Sequence, residues 1–176
     1  MATSDQSWRV IAGPRAVERI GAALVLGAVE ALGMFGETAR ALHAINGRLW
    51  ALEEAVRDRS LPDGAVVRLK RLIDAENLGR HDAIHAIDHL IDVTAGPQRT
   101  PDDPDAVLDS HSVGEMIDRL SVLTLKAEAF AAAPARSAAI ATRLQRLERS
   151  LERVGEALLR GEGVAQAFDE AKTYSA

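Results

Sequence analysis

Residues 140–158 read IATRLQRLERSLERVGEAL, and this stretch decides the fold class. Ile140, Leu144, Leu147, Leu151, Val154 and Leu158 recur at alternating spacings of four and three. That is an a/d seam along one face of an α-helix, and no strand has such a period. Arg143, Arg146, Glu148, Arg149, Glu152 and Arg153 flank the seam. A helix of this kind either packs into its own bundle or pairs with a second copy of the chain. Composition points the same way. The 176 residues are 47% apolar but only 3% aromatic, and 32 of them are alanine, which suits close helix packing rather than pleated sheet.

The remaining helices follow from their breakers. Pro14 opens a first helix to about Leu32, weakened at its end by Gly33 and Gly36. A second runs from about Thr38 to Arg59 and stops at Ser60-Leu61-Pro62-Asp63-Gly64. A third spans about Ala65 to Val93. Ser110 or Ser112 caps a fourth that reaches about Ala132, where Pro134 breaks or restarts it. Beyond Gly161-Glu162-Gly163, a short last helix covers Val164 to Tyr174. The expectation is an all-α, single-domain helical bundle of five to six helices with a long coiled-coil-like C-terminal helix. It comprises residues 14–176 behind a flexible N-terminus at 1–13, with a proline-rich loop at about 95–109.

With 26 acidic residues against 21 Lys and Arg, the net charge of −5 argues against a nucleic-acid coat. The absence of cysteine excludes disulfides, thiolate nucleophiles and zinc–thiolate sites. The apolar run Ile20 to Phe35 is broken by Glu30 and is short for a bilayer, and no basic leader precedes it. A cytoplasmic protein with no membrane contact is expected.

Helical wheels locate a candidate site. In the third helix Leu69, Ile73, Ile84, Ile87 and Ile91 share an apolar arc, beside which run Lys70, Asp74, Asn77, His81, His85, Asp88 and Asp92. Arg80 falls inside the isoleucine arc. A guanidinium there calls for an acid partner or an anionic ligand. In the second helix His43, Asn46, Trp50, Glu53, Glu54 and Arg57 lie beside a core stripe of Leu42, Ile45, Leu49, Leu52 and Val56. A tryptophan among those charges suits the wall of a groove. The fourth helix is apolar nearly all round (Met116, Ile117, Leu120, Val122, Leu123, Leu125), as a central helix is. Its charges, Glu115, Asp118, Arg119 and Lys126, fall in one arc; Glu115 is spaced to pair with Arg119, and Asp118 to meet Arg80.

Other chemistries find less support. His81 and His85, with His111 and Glu115, offer weak metal-ligand spacing, but a bundle di-iron site needs Glu-x-x-His on two helices and the chain has none. Glu115-x-x-Asp118 resembles half of the Mg²⁺-binding pattern of all-α nucleotide pyrophosphohydrolases, whose other half is missing. No phosphate loop and no nucleophile elbow occur. No cofactor is expected.

Three segments carry a family resemblance. The first is Leu42-His43 with Asn46, Leu49-Trp50, Glu53-Glu54 and Arg57. The second is Lys70-Arg71, Ile73-Asp74, Asn77, Arg80, Asp82 and Ile87-Asp88. The third is Ser110 and Gly114 followed by Met116 to Lys126, which reads MIDRLSVLTLK. Together they resemble the bacterial domain-of-unknown-function 4254 family from about residue 40 onward, with Phe168, Lys172 and Tyr174 a weaker echo at the end. His111, Val113, Glu115 and His81 depart from the family's usual Glu, Pro, Ser and Asn. The resemblance implies a helical fold and these site residues, and a setting in biosynthesis of a specialised metabolite or surface polysaccharide, without naming a reaction.

The expected function is therefore an intra-bundle polar site that binds or transforms a small polar or anionic metabolite. Asn46, Trp50, Arg57, Asp74, Asn77, Arg80, Arg119 and Lys126 would bind it, with Glu53, Glu54, Asp118 and His43 as acid–base groups. The alternatives are a non-catalytic interaction module, dimerising through Leu144, Leu147, Leu151 and Leu158, and a metal-dependent helical-bundle enzyme.

Overall fold

A computed structural model describes residues 29–95 and 111–163, with Arg19 and Asp105 besides. Four helices make up these parts: α1 Val29–Ala55, α2 Asp63–Thr94, α3 Val113–Ala129 and α4 Pro134–Leu159. No strand occurs among the described residues, whose secondary structure is all helical. The expected N-terminal segment 1–13, most of the expected first helix, the proline-rich loop and the short last helix lie outside the described residues.

The expected break at Gly33 and Gly36 does not occur, because α1 runs through both glycines. Each glycine costs a helix about 1 kcal/mol. Phe35 and Leu42 are completely buried on the same helix, and sealing one such side chain contributes about 1.5–3 kcal/mol. Tertiary burial therefore outweighs the local penalty. The helix ends where Asp58 Oδ1 accepts hydrogen bonds from the Ser60 backbone N–H and hydroxyl, turning the chain into Pro62 and α2. α1 and α2 form an antiparallel hairpin, as Glu53 with Lys70 and Arg48 with Glu76 show along its length.

α3 is the centre of the bundle, as its all-round apolar sequence predicts. It packs on α1, α2 and α4, while α4 approaches neither α1 nor α2 within 8 Å of Cα separation. Met116, Ile117 and Leu120 are sealed against Phe35, Leu42, Ile84, Ile87 and Leu151. On α4, Ile140, Leu151, Val154 and Leu158 are buried within the single chain, and Leu144 and Leu147 are half-buried against the core. Pro134 stands at the first turn of α4 and so restarts the helix. Among the described residues no helix is long and apolar enough to cross a membrane.

The start of α3 is fixed by four residues. Ser112 caps it: its hydroxyl accepts from the Glu115 N–H at 3.1 Å, and the Glu115 carboxylate accepts from the Ser112 N–H at 2.9 Å. Glu115 thus closes a capping box instead of pairing with Arg119, because free N–H groups at a helix start attract a carboxylate more directly than an exposed neighbour does. Asp88, buried on α2, accepts the Gly114 N–H at 2.7 Å. A Cβ at Gly114 would lie 2.5 Å from the Ile84 carbonyl oxygen, so only glycine permits this approach. Gly114→Ala should destabilise the protein by about 1–3 kcal/mol through overpacking, read as a lower urea midpoint at unchanged slope.

Candidate functional site

Asp118 gathers side chains from three helices. Arg80 of α2 donates from Nε to Oδ1 at 2.7 Å and from Nη2 to Oδ2, a two-point pair. Asn46 of α1 donates through Nδ2 to the same Oδ1 at 2.9 Å and to Ser121 Oγ at 3.0 Å. His43, one turn before Asn46, meets Ser121 Oγ through Nδ1 at 2.9 Å. Both protons of the Asn46 amide are thereby engaged. Ser121 accepts one of them, and its hydroxyl shares a further hydrogen bond with His43 Nδ1, whose direction follows the imidazole tautomer.

Burial makes the network consequential. The Asp118 side chain is 5% exposed and that of Arg80 is 32%, while Ser121 is sealed. Hydrogen bonding to Asp118 raises the Arg80 pKa above its ordinary value, so the cation is held firmly. Desolvation pushes the His43 imidazole below its ordinary value, with Glu128 pulling weakly the other way.

Two cavities adjoin this pair. One, of about 600 Å³, lies in the groove between α2 and α4 with α3 as its floor. Arg80, Arg119, Lys126, Arg143 and Arg146 line it, along with Val122, Leu123 and Leu147. Among the described residues its one acid is Asp118, already bound to Arg80. Among the described residues, none of Arg119, Lys126, Arg143 and Arg146 has an ion-pair partner. The second cavity, about 300 Å³, opens between α1, α2 and α3. Trp50, Glu53, Glu54, Arg57 and Asn77 surround it, with Glu54 bonded to Arg57 at 2.5 Å and Glu53 3.8 Å from Lys70. Arg80, Val122 and Lys126 belong to both walls. Two of the five Arg80 N–H groups are taken by Asp118, and the residue lines both cavities.

Most of the candidates from sequence therefore converge. Asn46, Trp50, Glu53, Glu54, Arg57, Asn77, Arg80 and Lys126 line the smaller cavity, and Arg80, Asp118, Arg119 and Lys126 the larger. Asp74 does not join them; it is exposed and lines neither cavity. His43 sits behind Asn46 and Ser121 and also lines neither, so it acts on the network rather than on a bound molecule. Asp118, saturated by Arg80 and Asn46, orients the guanidinium. His81, His85, His111 and Glu115 do not come together: no group of three or more His, Asp or Glu among the described residues could hold a metal ion.

Sequence reasoning missed Arg143, Arg146 and Ser121. Their signals were present. Ser121 follows Asp118 by one turn inside an apolar helix. On α4 the charges are segregated by sign: Glu148, Glu152 and Glu156 repeat every fourth residue, while Arg143 and Arg146 stand on the flank that faces the groove. Burial and Glu152 together raise the Glu148 pKa. Like charges at that spacing destabilise a helix by about 0.2–0.5 kcal/mol per pair, an arrangement that helix stability alone would not select.

The chain belongs to the family described as protein of unknown function (DUF4254), whose model matches residues 36–167. The match takes in every residue of both cavities. No curated protein and no solved structure matches the chain.

Arg80→Met should cost about 3–5 kcal/mol, because it strands a buried carboxylate. Adding Asp118→Asn should recover at least about 1 kcal/mol of that loss in urea denaturation. His43 gives a pH signature. Its ordinary pKa, near 6.5, is lowered on folding, so below about pH 6.5 the unfolded chain binds the extra proton first. Stability therefore falls as pH drops through that value and on toward the folded one. Between about pH 7.5 and 5.5 the wild type should lose more stability than His43→Gln, measured as paired denaturation curves.

Proposed function

We propose, for a chain whose family supplies no activity of its own, that it binds a small anionic metabolite in the groove on α3. The observation that carries this reading is the set of cations, Arg119, Lys126, Arg143 and Arg146, that line one cavity with no ion-pair partner among the described residues. Arg80 is the clamp: Asp118 fixes its plane, and its remaining N–H groups meet the ligand where the two cavities join. Glu53 and Glu54 are the carboxylates placed at the smaller cavity to accept a hydroxyl or to exchange a proton with a bound molecule. The setting proposed with it, a biosynthetic step in the bacterial cytoplasm, rests on the family resemblance.

A thermal-shift series with phosphate, citrate, sugar phosphates, nucleotides and amino acids tests the reading. A ligand at a hundred times its Kd adds about 2.7 kcal/mol, a rise of roughly 5–10 °C for a domain of this size. The Arg119→Gln/Lys126→Gln variant should melt with the wild type in the absence of ligand and lose that rise. A flat series, or a rise that survives both substitutions, would instead leave the polar stripes as structural ion pairs of an interaction module.

A further inference from the structure

The two cavities differ in character, and the difference restricts what can lie across them. The larger takes cations from all three of its sides: Arg80 from α2, Arg119 and Lys126 from the α3 floor, and Arg143 and Arg146 from α4. A single carboxylate or a monoester phosphate would engage one or two of these and leave the others facing each other. Arginine forks match phosphate oxygens in pairs, and several forks arranged around one groove suit adjoining phosphates. The smaller cavity is mixed in charge: Glu53 and Glu54 stand with Arg57 and the shared Arg80 and Lys126. Glu53, Glu54 and Asn77 present hydroxyl-accepting oxygens, and Trp50 presents an indole. Its carboxylates offset most of its cations, so a hydroxyl-bearing or planar group suits it better than a second anion. Arg80, Val122 and Lys126 make the two spaces continuous, and their sizes suit a small molecule.

We infer that the ligand is a diphosphate ester, with its diphosphate against Arg119, Arg143 and Arg146 and its esterified group passing Arg80 to lie beside Trp50. The inference rests on the anion-site reading and narrows it. Lys126 and Arg80 bridge the two halves, so the phosphate nearer the ester lies at the junction. Arg143 and Arg146 then decide between a diphosphate and a monophosphate, because they reach only the larger cavity.

The test uses the full chain carrying Trp8→Phe, which leaves Trp50 as its sole tryptophan. Calorimetric titrations compare inorganic phosphate, citrate and inorganic diphosphate, and Trp50 fluorescence follows ADP and UDP-glucose. Inorganic diphosphate should bind at least tenfold more tightly than phosphate or citrate. Arg143→Gln/Arg146→Gln should reduce its affinity at least tenfold with Tm unchanged, a larger loss than the same variant shows for phosphate. At least one ester should alter Trp50 emission, while inorganic diphosphate leaves it unaltered. If phosphate or citrate binds as tightly as diphosphate, and Arg119→Gln still abolishes it, the anion site stands and the diphosphate assignment falls. Diphosphate binding with Trp50 silent to both esters would overturn the passage into the smaller cavity. If none of the anions binds, the anion-site reading fails as well.

Discussion

The carboxylate of Asp118 is the constraint on which the site depends. It sits on the central helix with 5% of its side chain exposed, where an unpaired charge would be too costly to keep. Arg80 neutralises it with a two-point pair, and Asn46 satisfies a further lone pair. One acid thus fastens α1 and α2 to α3 at a single level. The fastening is directional as well as stabilising. A guanidinium held through Nε and one Nη has a defined plane, so the directions of its remaining N–H groups are set.

The position of α3 follows from its two ends of contact with α2. At its start, Asp88 accepts the Gly114 N–H, and the missing Cβ lets the helix approach the Ile84 carbonyl. One turn on, Arg80 meets Asp118. With α3 set this way, α2 and α4 stand on either side of it without touching backbone to backbone. The groove is therefore a product of topology, since two helices that share a central neighbour and stay apart must leave a trough between them. The sealed seam residues Leu151 and Leu158 hold α4 on the core, and the register of the seam turns Arg143 and Arg146 toward the trough.

Much of this was legible from residue spacing. The apolar periods place α2, α3 and α4, and an arginine inside an isoleucine arc announces a buried acid, which proves to be Asp118. The continuous α1 was not legible, because glycine propensity is local and the burial of Phe35 and Leu42 is not. The pairing of Glu115 was misread because i, i+4 spacing takes no account of the N–H groups left open at a helix start. Arg143 and Arg146 look like ordinary seam flanks in sequence. Only the placement of α4 beside α3 shows which flank faces a cavity. Asp74 shares a wheel arc with Asn77, yet a wheel gives direction and not depth, and it points into solvent.

The charge of the whole molecule and the charge of the groove have opposite signs, and under the proposed reading this opposition would carry specificity. The chain has a net charge of −5, while the larger cavity gathers five cations around a single acid. At physiological ionic strength a charge is felt over about 8 Å. A small anion within the groove therefore senses mainly the arginines that line it. A long polyanion would have to run beyond them, past acids such as Glu148, Glu152 and Glu156 on the other flank of α4, and would meet repulsion there. Setting Arg143 and Arg146 on one flank and Glu148, Glu152 and Glu156 on the other thus places attraction where the cavity is. A nucleic-acid binder spreads its cations along the path of a polymer. Here three helices bring Arg80, Arg119, Lys126, Arg143 and Arg146 to one open groove, a grouping that fits the small anion of the proposed reading.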